Sequence, residues 1–128
     1  MNNIVVSMSN NLLAEAITKM LTDSGDFRPI CLEVNKKTDL PAQCEMLSAE
    51  TLLSEVSYAS CTTVEKRIAE AKAVREKMPK CKIVFLCDEN SAPDIARQVM
   101  LAKKDGLIDT FFYSSVTAKY LVAALSAL

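Results

Sequence analysis

The chain has 128 residues, of which 24% are charged and 50% are hydrophobic, and its formal net charge is −1. This length and composition predict one folded domain, residues 1–128, with a sizeable core, and they exclude a disordered chain. The interspersed charges exclude a basic nucleic-acid surface, and the apolar runs are too short for a membrane span or a secretory leader. We therefore expect a cytoplasmic protein that contacts neither nucleic acid nor membrane directly.

The first half of the chain alternates between strand and helix patterns. Residues 4–6 predict a strand buried on both faces, and one of the three polar residues at 9–11 caps the helix that follows. Gly25 ends that helix, because glycine tolerates the left-handed backbone of a helix terminus. Apolar residues then alternate along 30–34 after Pro29, which is the pattern of an edge strand.

The middle of the chain continues the alternation. Asp39 caps a short helix, and residues 51–57 form an apolar strand that ends in the carboxylate of Glu55. Pro79 ends the third helix. The residues of that helix at core spacing are Val64, Ile68, Ala71, Val74 and Met78. The charged pairs predicted on its solvated face are Lys66 with Glu70 and Lys72 with Glu76.

The last third of the chain adds two more strand and helix pairs. Residues 83–87 are the most apolar strand and predict an interior position in the sheet. Ser91 opens the fourth helix, which Gly106 closes. Residues 108–113 form the last strand, and one of the two serines at 114–115 caps the last helix.

Five strands that alternate with five helices require right-handed crossovers and a parallel sheet with helices on both faces. The fold class is therefore a doubly wound α/β sandwich of three layers. In such sheets ligands collect at the carboxyl ends of the strands, which is where Glu55 stands. Leu128 still lies within the apolar pattern of the last helix, so we expect the chain to be the N-terminal part of a longer protein.

Histidine is absent, and the five cysteines have no metal-site spacing. Without histidine, His-based acid/base catalysis, Ser-His triads and phosphohistidine chemistry are excluded. The odd number of cysteines and the lack of a CxxC pair predict reduced thiols and no zinc site. Cys31, Cys81 and Cys87 lie in or beside apolar strands and are predicted to pack as small apolar side chains.

The order and lengths of these elements resemble the receiver domain of two-component response regulators, a CheY-like (βα)5 fold with strand order 2-1-3-4-5. The most specific local matches are the TLLSEVS strand, the IVFLC strand and the SVTAKYL start of the last helix. The resemblance implies a signalling module rather than an enzyme. In that family, an acidic pair binds magnesium beside a phosphoacceptor aspartate, a serine or threonine, and a lysine.

The residues at those positions depart from the family pattern. They are Ser7, Met8 and Ser9 for the acidic pair, Glu55 for the phosphoacceptor, Cys87 for the hydroxyl and Ser114 for the lysine. A shift of one residue places Tyr113 at the lysine position, and Phe111 stands at the switch aromatic without a threonine partner. The resemblance thus implies a degenerate pseudo-receiver that binds no metal or cofactor and acts independently of phosphorylation.

Two alternatives remain open for Glu55 itself. Its carboxylate is either a fixed phosphate mimic that holds the active-like state or a solvated acid without consequence. Asp88 and Glu89 follow the fourth strand and either help Glu55 to bind a cation or serve only the start of the next helix.

The resemblance also implies partners. We expect a homodimer through the face formed by the fourth helix, fifth strand and fifth helix, and a fused output domain that is either DNA-binding or an ATPase. The residues predicted at this face are Arg97, Lys103, Lys104, Phe112, Lys119 and Tyr120. One alternative is a small flavodoxin-like phosphotransfer or cysteine-dependent enzyme, but its loop at 7–11 has neither Cys nor Gly. A second alternative is a ligand-binding domain, but no loop has a sequence pattern that identifies a ligand.

Overall fold

A computed structural model describes residues 2–35, 37–88 and 93–128, so Glu89 and Ser91 lie outside the described residues. Five strands and five helices alternate along these ranges, as predicted. The strands are β1 (Asn2–Ser7), β2 (Phe27–Leu32), β3 (Thr51–Val56), β4 (Lys82–Cys87) and β5 (Thr110–Tyr113). The helices are α1 (Asn11–Ser24), α2 (Leu40–Met46), α3 (Val64–Lys77), α4 (Pro93–Lys104) and α5 (Ala118–Ser126).

All strand pairs are parallel, and the strand order is β2-β1-β3-β4-β5. The predicted order, the interior position of β4 and the edge position of β2 are therefore confirmed. A helix joins each strand to the next one along the chain, and the connection through α2 passes over β1 to reach β3. The carboxyl ends of the strands consequently meet along one edge.

The two faces of the sheet carry separate apolar cores. On one face Val5, Leu52 and Phe85 pack beneath α2, α3 and α4. On the other face Leu53 and Leu86 pack beneath α1 and α5. Because successive side chains of a strand alternate between faces, β1, β3 and β4 need apolar residues at almost every position. Within the described ranges, no helix is long and apolar enough to cross a membrane.

Polar residues and glycines fix the ends of the helices. Asn10 caps α1 through its side-chain oxygen, and Gly25 follows that helix with a φ of 81°. Asp39 caps α2 in the same way. Gly106 follows α4 with a φ of 77°. These four positions confirm the predicted helix boundaries.

The cap of α5 differs from the prediction. The capping residue is Thr117, whose hydroxyl accepts the N–H of Tyr120, rather than one of the two serines at 114–115. The backbone N–H of Ser114 donates to the carbonyl of Cys87 at 2.9 Å and so extends the chain beside β4.

Strand β2 begins earlier and ends earlier than its alternating pattern at 30–34 predicts. It runs from Phe27, which pairs with Asn2, to Leu32. Pro29 therefore lies inside the strand rather than before it. A proline is tolerated there because an edge strand has N–H groups that need no partner.

Strand β5 begins two residues later than predicted, at Thr110. The carboxylate of Asp109 accepts the N–H of Ile83 at 2.7 Å and a hydrogen bond from Arg75 at 2.5 Å. The backbone N–H of Ile83 in β4 is thus paired with the side chain of Asp109, whereas a longer β5 would pair it with a backbone carbonyl.

None of the five cysteines, all of which lie within the described residues, forms a disulfide. Cys81 and Cys87 are buried, as predicted, but the prediction for Cys31 is wrong, because this residue is exposed on the edge strand β2. Burial is the main cause that raises the pKa of Cys44 to about 12 and that of Cys81 to about 11. Both of these thiols therefore stay protonated at neutral pH.

Candidate functional site

A cavity of about 320 Å³ opens at the carboxyl edge of the sheet. Glu55 from β3, Cys87 from β4 and Ser114 after β5 all line it, together with Asp88. Parallel strands bring these residues together although they are far apart in sequence. Three of the positions singled out in the sequence thus share one cavity.

The carboxylate of Glu55 is bound to the segment between β1 and α1. Its Oε1 atom accepts hydrogen bonds from the backbone N–H of Ser9 at 2.9 Å and from the Ser9 hydroxyl at 2.7 Å. Glu55 is half-buried, and Ser9 is exposed. The negative charge of Glu55 is therefore used to connect the end of β3 to the start of α1.

The other two acidic-pair positions are also committed to internal contacts. Ser7 is the last residue of β1 and is buried on the side of α3. Met8 is buried in the core beneath α1 and α5. All three positions at 7–9 thus serve the fold, and none of them supplies a carboxylate.

A buried arginine that the sequence reasoning missed lies against the ends of β1 and β3. Arg67 of α3 is only 2% exposed. Its Nε donates to the carbonyl of Glu55 at 2.8 Å, one terminal nitrogen donates to the carbonyl of Ser7 at 2.9 Å, and the other to the Ser7 hydroxyl at 3.0 Å. The planar guanidinium fork is suited to three such acceptors, which a lysine cannot reach together.

The charge of this arginine is balanced by acidic neighbours. Glu70, one turn further along α3, accepts a hydrogen bond from Arg67 at 3.2 Å. Burial lowers the pKa of Arg67, while Glu70 and, more weakly, Glu55 oppose that shift. Glu70 therefore pairs with Arg67, whereas the sequence pattern paired it with Lys66.

One signal in the sequence pointed to Arg67. It follows Val64 by three residues and precedes Ala71 by four, so it falls on the apolar stripe of α3. A charged residue at such a position is almost never buried without a partner. The partner is Ser7, 60 residues away, and no local pattern identifies it.

Solved structures share this architecture over nearly their whole length. The receiver domain of the response regulator NarL from Mycobacterium tuberculosis matches with a TM-score of 0.76 at 17% identity, over 98% of this chain and 94% of its own. A LuxR-family DNA-binding response regulator from Staphylococcus aureus matches with a TM-score of 0.75 at 12% identity, over 99% of this chain and 98% of its own. This chain has the fold of a response-regulator receiver domain.

A third receiver-like structure extends the comparison. A CheY-like protein from Pseudomonas aeruginosa PAO1 matches with a TM-score of 0.74 at 13% identity, over 99% of this chain and 98% of its own. No protein-family model and no curated protein matches the sequence. The receiver fold is therefore recognised from the structure rather than from sequence identity.

Receiver domains are expected to hold magnesium at this edge, but the residues here do not fit a divalent cation. The positions at 7–9 offer hydroxyl and thioether groups, Glu55 is bound by Ser9, and the guanidinium of Arg67 adds a positive charge. Hard cations need several oxygen ligands, mostly carboxylates. Among the described residues, no group of three or more His, Cys, Asp or Glu is placed to hold a metal.

The other positions predicted from the resemblance are occupied by Cys87, Ser114 and Phe111. Cys87 is buried in the core beneath α3 and α4, and a thiol is a weak hydrogen-bond donor. Ser114 is exposed and carries no positive charge. Phe111 is half-buried, packs edge to face on Tyr113 at 5.7 Å between ring centroids, and has the Nζ of Lys103 5.9 Å from its centroid.

The α4-β5-α5 face of the receiver fold carries most of the residues predicted for an interface. Those that are exposed are Arg97, Lys103, Lys104, Lys119 and Tyr120. Phe112 is different, because it is only 9% exposed and belongs to the core beneath α1 and α5. Its ring lies 6.2 Å from that of Tyr120, edge to face. Placing Phe112 at the surface was therefore wrong, and Tyr120 covers it.

Proposed function

We propose that this chain is a receiver-like signalling module of the cytoplasm that works through protein contacts, independently of phosphorylation and without catalysis. The observation that carries this proposal is that polar groups at the carboxyl ends of β1 and β3 are hydrogen-bonded within the chain. Ser9 holds the carboxylate of Glu55, and Arg67 holds the ends of β1 and β3. The site chemistry of a receiver has been replaced by structural contacts.

Phosphoryl transfer depends on positioning and on neutralisation of developing charge. Here the positions for the metal ligands, the acceptor, the hydroxyl and the lysine all carry other residues. Glu55 and Asp88 make the cavity acidic, which disfavours a phosphate group. The hydrogen bonds from Ser9 support a structural role for the Glu55 carboxylate, which differs from both alternatives considered above, the phosphate mimic and the solvated acid without consequence.

We assign the signalling contact to the α4-β5-α5 face, where this chain forms a homodimer or docks on a partner or fused output domain. Tyr120 is 61% exposed there, and a groove of about 400 Å³ runs beside it, lined by Lys103, Phe111 and Val116. Aromatic and basic residues are enriched at protein interfaces. The output domain is DNA-binding or an ATPase; the matched Staphylococcus aureus protein is a DNA-binding response regulator.

The cysteine-dependent enzyme gains no support from the residue environments. Cys44, Cys81 and Cys87 are buried, and none of the five cysteines lies in the segment between β1 and α1. A reactive cysteine needs exposure and a lowered pKa, whereas the pKa values of Cys44 and Cys81 are raised.

The first test is to record amide NMR spectra of the chain with and without magnesium and beryllofluoride, which together mimic an acyl phosphate. We expect the resonances of Glu55, Cys87 and Phe111 to stay in place at millimolar ligand, because neither metal nor phosphoryl mimic has ligands here. A receiver with the complete acidic pair serves as the positive control. A concerted shift of these three resonances would show a working site and refute phosphorylation independence.

The interface is tested with Tyr120→Glu. A charge at this position should weaken self-association about tenfold or more, because aromatic anchors dominate interface energies. Sedimentation equilibrium of the wild-type chain and the variant measures this effect. Tyr58→Glu is the matched control, since Tyr58 is also exposed but lies between β3 and α3. Equal weakening by both variants, or by neither, would rule out this face as the dimer contact.

A further inference from the structure

One side chain of α3 joins the carboxyl ends of the two adjacent strands β1 and β3. The guanidinium of Arg67 donates three hydrogen bonds to Ser7 and Glu55, the last paired residue of β1 and the residue before the end of β3. These strands are neighbours, with Ser7 opposite Ser54. A single side chain therefore satisfies the backbone carbonyls of Ser7 and Glu55 as hydrogen-bond acceptors.

We propose that Arg67 is a built-in cation that holds the ends of β1 and β3 in one arrangement and makes the edge unable to accept a divalent cation. This inference deepens the proposed function and rests on it, because it identifies what keeps the module in one state without a phosphoryl group. A bound ion can dissociate, whereas a side chain is covalently attached to the chain.

The charges around the guanidinium support this role. Arg67, Glu55 and Glu70 together carry a formal net charge of −1; the guanidinium contacts the carboxylate of Glu70 and attracts that of Glu55 only through space. Removal of the guanidinium leaves the Glu70 carboxylate, the Ser7 hydroxyl and the carbonyls of Ser7 and Glu55 without their common donor, and the Glu55 carboxylate without this nearby positive charge. Oxygen atoms in that arrangement attract a hard divalent cation. The arginine thus occupies the electrostatic position that an ion would otherwise take.

The geometry of the fork matters as well as its charge. Arginine presents its donors in a rigid plane, whereas the ammonium of lysine is a compact point charge on a flexible stem. A lysine at position 67 keeps the charge and loses the simultaneous bonds to Ser7 and Glu55. The two properties are therefore separable by substitution.

The experiment compares Arg67→Met and Arg67→Lys with the wild type in the whole chain, by amide hydrogen exchange and by NMR titration with magnesium chloride. In Arg67→Met we expect exchange at Ser7 and Ser9 to be roughly tenfold faster or more, and the resonances around Glu55 to shift with millimolar magnesium. In Arg67→Lys we expect the faster exchange without the magnesium response.

Arg75→Met is the matched control. Arg75 lies two turns further along α3 and pairs with Asp109 instead of the carboxyl edge. Faster exchange should then be confined to the region of Ile83 and Asp109, with no magnesium response at Glu55. This control separates a general loosening of α3 from the specific effect of Arg67.

Different results would refute the inference about Arg67 and the proposed function. Wild-type exchange rates in Arg67→Met, or the absence of a magnesium response in that variant, would overturn it. If Arg67→Met does not fold, Arg67→Lys decides: wild-type exchange or a magnesium response there would also overturn it. A response of the wild-type chain to magnesium and beryllofluoride would instead refute the proposed function.

Discussion

Replacing Arg67 with alanine is expected to lower the free energy of unfolding by about 3 to 5 kcal/mol, because it removes one member of a buried charged network. The carbonyls of Ser7 and Glu55 lose a donor, and the carboxylate of Glu70 loses its ion-pair partner. The vacated volume adds a cavity, since Arg67 is among the largest fully buried side chains among the described residues.

Urea unfolding followed by circular dichroism measures this loss. An unchanged m-value, the slope of the unfolding free energy against urea concentration, shows that the same amount of surface is exposed on unfolding. Arg97→Ala is the control, because Arg97 is exposed on α4 and its removal should change stability by less than about 0.5 kcal/mol. A loss below about 1 kcal/mol for Arg67→Ala would mean that water replaces the guanidinium at little cost.

Asp109→Ala should cost about 2 to 3 kcal/mol of stability, since hydrogen bonds to charged groups are worth more than neutral ones. The carboxylate accepts the N–H of Ile83 and a bond from Arg75, and it thereby joins the start of β4, the start of β5 and helix α3. Alanine leaves the N–H of Ile83 without that acceptor and Arg75 without its ion-pair partner.

Asp109→Asn separates the two contributions, because its side-chain oxygen still accepts the N–H of Ile83 while the charge that binds Arg75 is lost. We expect this variant to lose about 1 kcal/mol, in line with a partly exposed ion pair. Urea unfolding gives the stability of both variants, and hydrogen exchange reports on the Ile83 amide. Equal losses for the two substitutions would assign the whole effect to the ion pair.

The sequence alone was sufficient for the architecture. Apolar runs at 4–6 and 83–87 predict strands buried on both faces, and the helical spacing between them requires crossovers. Caps at Asp39 and stops at Gly25 are local, since the groups that satisfy a helix end lie within a few residues of it. The position of Glu55 at the site follows from the same rule, because parallel strands end at one edge.

Other features were decided by contacts between distant parts of the chain. Alternation shows that Phe111 and Phe112 face opposite sides of β5, but it does not show which side is covered, and the packing of α5 buries Phe112. Three hydroxyl residues precede α5, and the sequence does not show which of them caps it; the structure gives this role to Thr117.

The burial of Arg67 is the clearest case. Arg67 lies on the apolar stripe of α3, although an arginine ordinarily keeps its charged head in solvent with only its stem on the protein surface. Burial is favourable only if the guanidinium finds several acceptors at once, and these belong to β1 and β3. The sequence determined which strands and helices form, whereas the tertiary structure determined which charge lies between their ends, because the acceptors come together only when the sheet has formed.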